Sequence, residues 1–152
     1  MKRHHITKTL IVLWVIVIFM NSLLPGEASS RQSGFVVNVF ENFLGWFNIK
    51  PDFDDLSSII RMFAHFIEFT VLGFFIRIDI HQKPYHSYFM LIFGFSVALL
   101  DEIIQLFVPD RAFQVTDLFI DWSGVILGIV ITSFYFKNIS KKNNLLEESI
   151  KS

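Results

Sequence analysis

Four runs of about twenty residues, each dominated by Leu, Ile, Val and Phe, constrain this chain more than any other feature. They cover residues 6–24, 59–80, 87–108 and 117–136. At ~1.5 Å per helical residue, each reaches roughly 30 Å, the thickness of a bilayer's hydrocarbon layer. In that layer backbone polar groups must be satisfied within the protein, so only helices or closed barrels span it. Four short spans cannot close a barrel. The predicted fold class is therefore an all-α membrane protein, with four transmembrane helices in a small bundle. Residues 1–137 read as one transmembrane domain and 138–152 as a polar cytoplasmic tail that frays. Composition agrees: the 152 residues are 53% hydrophobic with 19 Phe, more apolar surface than a soluble domain of this size can hide. The net charge of −1 gives no case for nucleic acid. The absence of cysteine excludes disulfides, thiolate metal sites and a Cys nucleophile.

The first run follows Lys2, Arg3 and Lys8, and Pro25-Gly26-Glu27-Ala28-Ser29 has the look of a cleavage region. The length of the run and the three spans after it favour an uncleaved helix instead. Between spans one and two, Val36, Val39, Phe40, Phe43, Leu44 and Phe47 recur at helical spacing. This predicts an interfacial amphipathic helix with Trp46 at headgroup depth, or one packed over the bundle end. Asp55 or Ser57 is placed to cap span two.

Alternating spans put nine basic residues on the side of the termini (Lys2, Arg3, Lys8, Arg77, Lys83, Lys137, Lys141, Lys142 and Lys151). The other side holds four: Arg31, Lys50, Arg61 and Arg111. The positive-inside rule then predicts a multi-pass protein of the cell membrane with both termini cytoplasmic.

Charged residues inside spans cost roughly 2.5–3.5 kcal/mol each at a helix centre on insertion scales, yet this chain carries several. Arg61, His65 and Glu68 share one helical stripe of span two with Leu72. Asp101, Glu102 and Gln105 end span three, where Gly94 and Ala98 continue the stripe inward. Arg111 follows in the loop, and Asp117 and Asp121 open span four. An antiparallel bundle brings all of these to one membrane face, which the charge bias makes the outer one. Gly124 and Gly128 form a small-xxx-small pattern, suited to close helix packing. The geometry expected is a tight inner half opening into an outer polar pocket. Arg61 is expected to pair with a carboxylate of another span, Asp101, Glu102 or Asp121, and the bland reading is that such pairs of Arg61 and Arg111 with the acids simply hold the bundle together. Each residue alone favours it: His65 as a hydrogen-bonded interior His, Asp117 as the N-cap of span four. Against it stands the whole set, in which acids outnumber bases and a His–Glu pair faces them.

At these residues the sequence resembles the VanZ-like family of membrane proteins, named for an association with teicoplanin resistance. Three motifs carry the resemblance: Arg61-Met-Phe-Ala-His65-Phe66-Ile-Glu68-Phe69-Thr-Val-Leu72-Gly73, Asp101-Glu102-Ile-Ile-Gln105-Leu-Phe107-Val-Pro109-Asp-Arg111, and Asp117-Leu-Phe-Ile-Asp121-Trp-Ser-Gly124-Val-Ile-Leu-Gly128. Asn21-Ser22, with Ser29 to Ser33, forms a weaker fourth element. Met62 stands where the family often has Lys, Phe69 where Tyr is frequent, and Asp121 where Asn is common. The resemblance implies a cell-envelope protein and supplies no reaction.

Three functions compete. In the first, the pocket binds a lipid headgroup or a cell-wall precursor among membrane lipids, with Arg61 and Arg111 holding phosphate or carboxylate and Gln105, Asp117 and Asp121 lining the site. In the second, His65, Glu68, Asp101 and Glu102 do acid–base work on a lipid-linked substrate. A His with several carboxylates also suits a divalent metal, although the motif fixes no ligand geometry and names no cofactor. A transporter ranks last, because the inner halves of spans two to four lack a polar chain. Span one is expected to contribute little to any of these.

Overall fold

The computed structural model describes residues 2–46, 52–80, 87–109 and 111–151. Phe47, Lys50, Lys83 and Asp110, used in the sequence argument, lie outside the described residues. Those described form five helices: α1 (Lys2–Ser22), α2 (Gly26–Gly45), α3 (Phe53–Asp79), α4 (Ser87–Gln105) and α5 (Val115–Lys151). All but α2 are long and apolar enough to cross a membrane.

The helix ends have local causes. Leu23, Leu24 and Pro25 separate α1 from α2, because Pro25 lacks the N–H needed to continue α1. At the end of α4 the hydrogen bonds tighten to three-residue spacing, Leu106 N–H to Ile103 O at 3.2 Å and Phe107 N–H to Ile104 O at 3.0 Å. Pro109 follows, so the helix stops short of the expected Val108. α5 begins two residues earlier than expected. The Gln114 carbonyl accepts from both Asp117 N and Leu118 N, which places Asp117 inside the first turn rather than at the N-cap. α3 begins at Phe53, so neither Asp55 nor Ser57 caps it. The tail does not fray: α5 runs on to Lys151. After Gly128 the chain holds no Gly or Pro to stop it, and extending a formed helix needs no new nucleus.

α3 and α5 make the most extensive helix pair. Its cause is small residues at the crossing. A side chain at Gly128 would fall on the Thr70 carbonyl oxygen, and one at Gly73 on the Val125 carbonyl oxygen. One at Gly124 would come within 2.6 Å of the Phe66 carbonyl oxygen. The two backbones therefore touch, as in small-xxx-small membrane pairs. Phe69, Leu72, Ala98 and Val125 are fully buried around this crossing, with Ile18 of α1 closing the core. α4 packs on α5 where Gly94 receives the Val125 side chain.

α2 packs along α3. The packed side carries Val37, which is fully buried, with Glu41 and Leu44 half-buried beside it. The apolar face expected from the sequence, Val36, Val39, Phe40 and Phe43, looks outward instead, together with Phe35 and Trp46. α2 thus combines both readings: one side on the bundle, and an apolar aromatic side of the kind that suits the interface.

The antiparallel order sorts polar groups by end. At the end holding the start of α1 and the close of α3, Arg77 Nε donates to Ser133 Oγ at 2.8 Å, with its guanidinium 5.6 Å from the Phe136 ring centre. Arg61, Arg111 and the acids Glu68, Asp101, Glu102, Asp117 and Asp121 gather at the opposite end.

Candidate functional site

That opposite end is built from the close of α1, the first half of α3, the close of α4, the loop 109–114 and the start of α5. Every bilayer-depth acid named from the sequence is there. Asp101 is fully buried. Ser22 Oγ donates to its Oδ1, Gln105 Nε2 donates to its Oδ2 at 3.0 Å, and His65 Nδ1 lies 3.8 Å from Oδ2. Glu102, also fully buried, accepts the Gln114 backbone N–H at 2.8 Å through Oε2, which ties the loop down onto α4. Glu68 Oε1 accepts from Asn21 Nδ2 at 2.6 Å, and the Glu68 carbonyl accepts from Trp14 Nε1 at 2.9 Å. Asp121 is only 1% exposed, and neither of its carboxylate oxygens has a hydrogen-bond partner. One oxygen each of Glu68 and Glu102 is likewise buried without a partner.

A cavity of about 320 Å³ opens beside these groups. Arg61, His65, Glu102, Gln105, Asp117 and Asp121 line it, with Arg111 at the loop side. Asp101 lies behind the wall, reached through His65 and Gln105. Glu68 does not line the cavity; its carboxylate turns to α1. Of the residues expected to act together, Glu68 is therefore the one set apart, although His65 and Asp101 lie between it and the cavity's other acids.

The expected pairing of Arg61 with Asp101, Glu102 or Asp121 does not occur. Among the described residues neither Arg61 nor Arg111 reaches a carboxylate within 4.0 Å, and it is His65 that faces Asp101, at 3.8 Å. Both guanidiniums instead act at longer range on Asp117. Arg111 Nε is buried without a partner, and burial together with the neighbouring Arg61 pulls its pKa down from the ordinary arginine value. The physical reason is reach. Both arginines stand at the mouth, whereas Asp101 and Glu102 sit deeper, Asp101 held by Ser22 of α1 and Glu102 by the loop's Gln114 N–H.

Span one also contributes more than expected. Asn21, Ser22 and Trp14 hold Glu68 and Asp101 in place. The signal lay in Asn21-Ser22, two polar residues closing an apolar run at the pocket end. Gln114 carried no such signal, because its role is played by a backbone N–H.

Chemically the site offers two free cationic groups at its mouth and a deep cluster of acids with one imidazole. One donor atom each from His65, Asp101 and Asp121 lies within 4.8 Å of the others, within reach of a shared metal ion. A protein family described as VanZ/LLP1 matches residues 8–136. No curated protein and no solved structure matches the chain.

Proposed function

We propose, from the premise that the chain belongs to the VanZ/LLP1 family of membrane proteins, that its pocket binds the anionic group of an envelope lipid or cell-wall component. Through it the protein contributes to glycopeptide (teicoplanin) resistance. One observation carries the reading: Arg61 and Arg111 border a single polar cavity with no carboxylate paired to either among the described residues. Arg111 Nε is buried without a partner, and a buried charged group without one carries an uncompensated desolvation cost. Phosphate or carboxylate offsets it through charge-assisted, bidentate hydrogen bonds. Each such bond contributes about 1.5–3 kcal/mol.

The test uses phosphatidylglycerol as probe, with the full chain in nanodiscs and a zwitterionic lipid as comparison. Arg61→Ala and Arg111→Ala are each expected to weaken retention of phosphatidylglycerol about tenfold or more, and to raise glycopeptide susceptibility. Retention equal to that of the zwitterionic lipid in the unmodified chain sinks the reading.

The pocket faces outward in this proposal, with both termini in the cytoplasm. Because the chain has no cysteine, single cysteines report the side directly. An Ala112→Cys chain, exposed in the pocket-end loop, should label from outside intact cells with an impermeant maleimide. Asn144→Cys should label only after lysis. The reverse pattern would place the pocket in the cytoplasm.

The contact of His65 with Asp101 favours a second reading, acid–base catalysis on a lipid-linked substrate, since a carboxylate beside an imidazole orients it for proton transfer. Turnover of a lipid-linked substrate by the purified chain, lost in His65→Gln, would select it over binding alone.

A further inference from the structure

We infer that His65, Asp101 and Asp121 form a site for one divalent transition cation, of the Zn²⁺ or Mn²⁺ type, at the floor of the pocket. The ligand atoms come from three different helices, α3, α4 and α5, and lie within 4.8 Å of one another. Donors around an ion at ~2.0–2.2 Å are themselves about 3–3.5 Å apart. The site therefore needs to close only by rotamer adjustment.

Asp121 supplies the independent observation. It is 1% exposed and neither oxygen is hydrogen-bonded. A buried carboxylate with no donor is the costliest polar group a helix bundle can hold. Its neighbours across the cluster are Asp101, Glu102, Asp117 and Glu68, all carboxyl groups and none a cation. The arginines stand at the mouth, and neither is paired with it. What is missing at Asp121 is a positive charge, and a cation shared with Asp101 and His65 provides it.

The surroundings are those of a held ligand set. Asp101 is fixed by Ser22 on one oxygen and by Gln105 on the other, and Oδ2 is the oxygen nearest His65. Ligating carboxylates are commonly oriented by such hydrogen bonds. One imidazole with two carboxylates is a mixed nitrogen and oxygen set, which suits Zn²⁺ or Mn²⁺ better than a hard cation held by oxygen alone. The cavity gives water access to the remaining coordination positions.

The test is made on the purified full chain in detergent, loaded with Zn²⁺ or Mn²⁺ and desalted, with metal counted per chain. About one ion per chain is expected for one of these metals. Asp121→Asn and His65→Gln should each weaken that ion's binding by at least tenfold, and Ser22→Ala by about tenfold through the loosened Asp101. Addition of the ion should raise the melting temperature of the unmodified chain and leave that of Asp121→Asn unmoved. Arg61→Ala should hold the ion normally, which separates this site from anion binding at the mouth. The inference is overturned if the unmodified chain retains neither metal, or if the two ligand variants hold it equally well. It is also overturned if Asp121→Asn raises the melting temperature while neither metal shifts either protein, since the three groups then share protons rather than a cation.

Discussion

Gly128→Leu is expected to abolish accumulation of the protein in the membrane, and Gly128→Ala to destabilise it by about 2 kcal/mol or more. The cause is backbone contact. A Cβ at Gly128 falls on the Thr70 carbonyl oxygen and comes within 2.8 Å of the Phe74 nitrogen, neither of which can rotate away as a side chain could. α3 and α5 would have to separate. Separation would undo the burial of Phe69 and Val125, and would shift His65 and Asp121, which ride on the same two helices. Lipid offers no hydrophobic driving force to restore the lost packing, since the tails are as apolar as the side chains. The comparison variant is Gly45→Ala, where a new Cβ has nothing within 4 Å and should change little. Membrane yield and resistance to thermal unfolding in detergent measure both. A Gly128→Leu chain that accumulates and unfolds like the unmodified one would show that this crossing does not hold the bundle.

That crossing was legible in the sequence, and so was the placing of the acids at one end. A bilayer leaves helices as the available fold, and antiparallel spans fix which ends meet. What remained hidden depended on distances that spacing does not encode. Arg61 shares a stripe with His65 and Glu68, and its expected partner is a carboxylate of another span. Yet Arg61 lies a full turn nearer the mouth than His65, and that turn keeps its guanidinium from the deep carboxylates. The stripe also hid a division: Glu68 turns to Asn21 of α1, while His65 turns to Asp101 of α4. For α2, periodicity found the apolar side but not which side would pack. Next to a membrane both sides can be apolar, and the choice fell to the side carrying Val37, which is fully buried. The polarity after Lys137 points to a frayed tail, but Gly or Pro is what stops a helix, and α5 meets neither between Gly128 and Lys151.

Removal of charge from the deep acids, one at a time, should separate function from architecture with the largest functional effect. Glu68→Gln, Asp101→Asn and Glu102→Gln are expected to fold, insert and accumulate near normal levels, yet to lose the envelope phenotype, read as glycopeptide susceptibility at the level of a chain-less strain. The structure shows why the fold should tolerate them. Glu68 and Glu102 each have one oxygen accepting a hydrogen bond, from Asn21 and from the Gln114 backbone N–H, and one buried oxygen with no partner. Glutamine keeps the accepting oxygen and places its NH2 on the unpartnered side, so no existing bond is lost. Asparagine at 101 keeps the oxygen facing Ser22 and requires only that the Gln105 amide turn over to accept instead of donate. Asp101→Leu is the structural contrast. It leaves Ser22 only the Ile18 carbonyl and strands the buried amide of Gln105, at about 1–3 kcal/mol for an unsatisfied group, and should lower accumulation. If the charge were there only to hold helices together, the amide variants would fail in the same way as Asp101→Leu, by loss of protein. Amide variants that accumulate normally and keep full resistance would remove the acids from the function altogether. Normal accumulation with lost resistance is the result that places the chemistry, rather than the packing, in these three carboxylates.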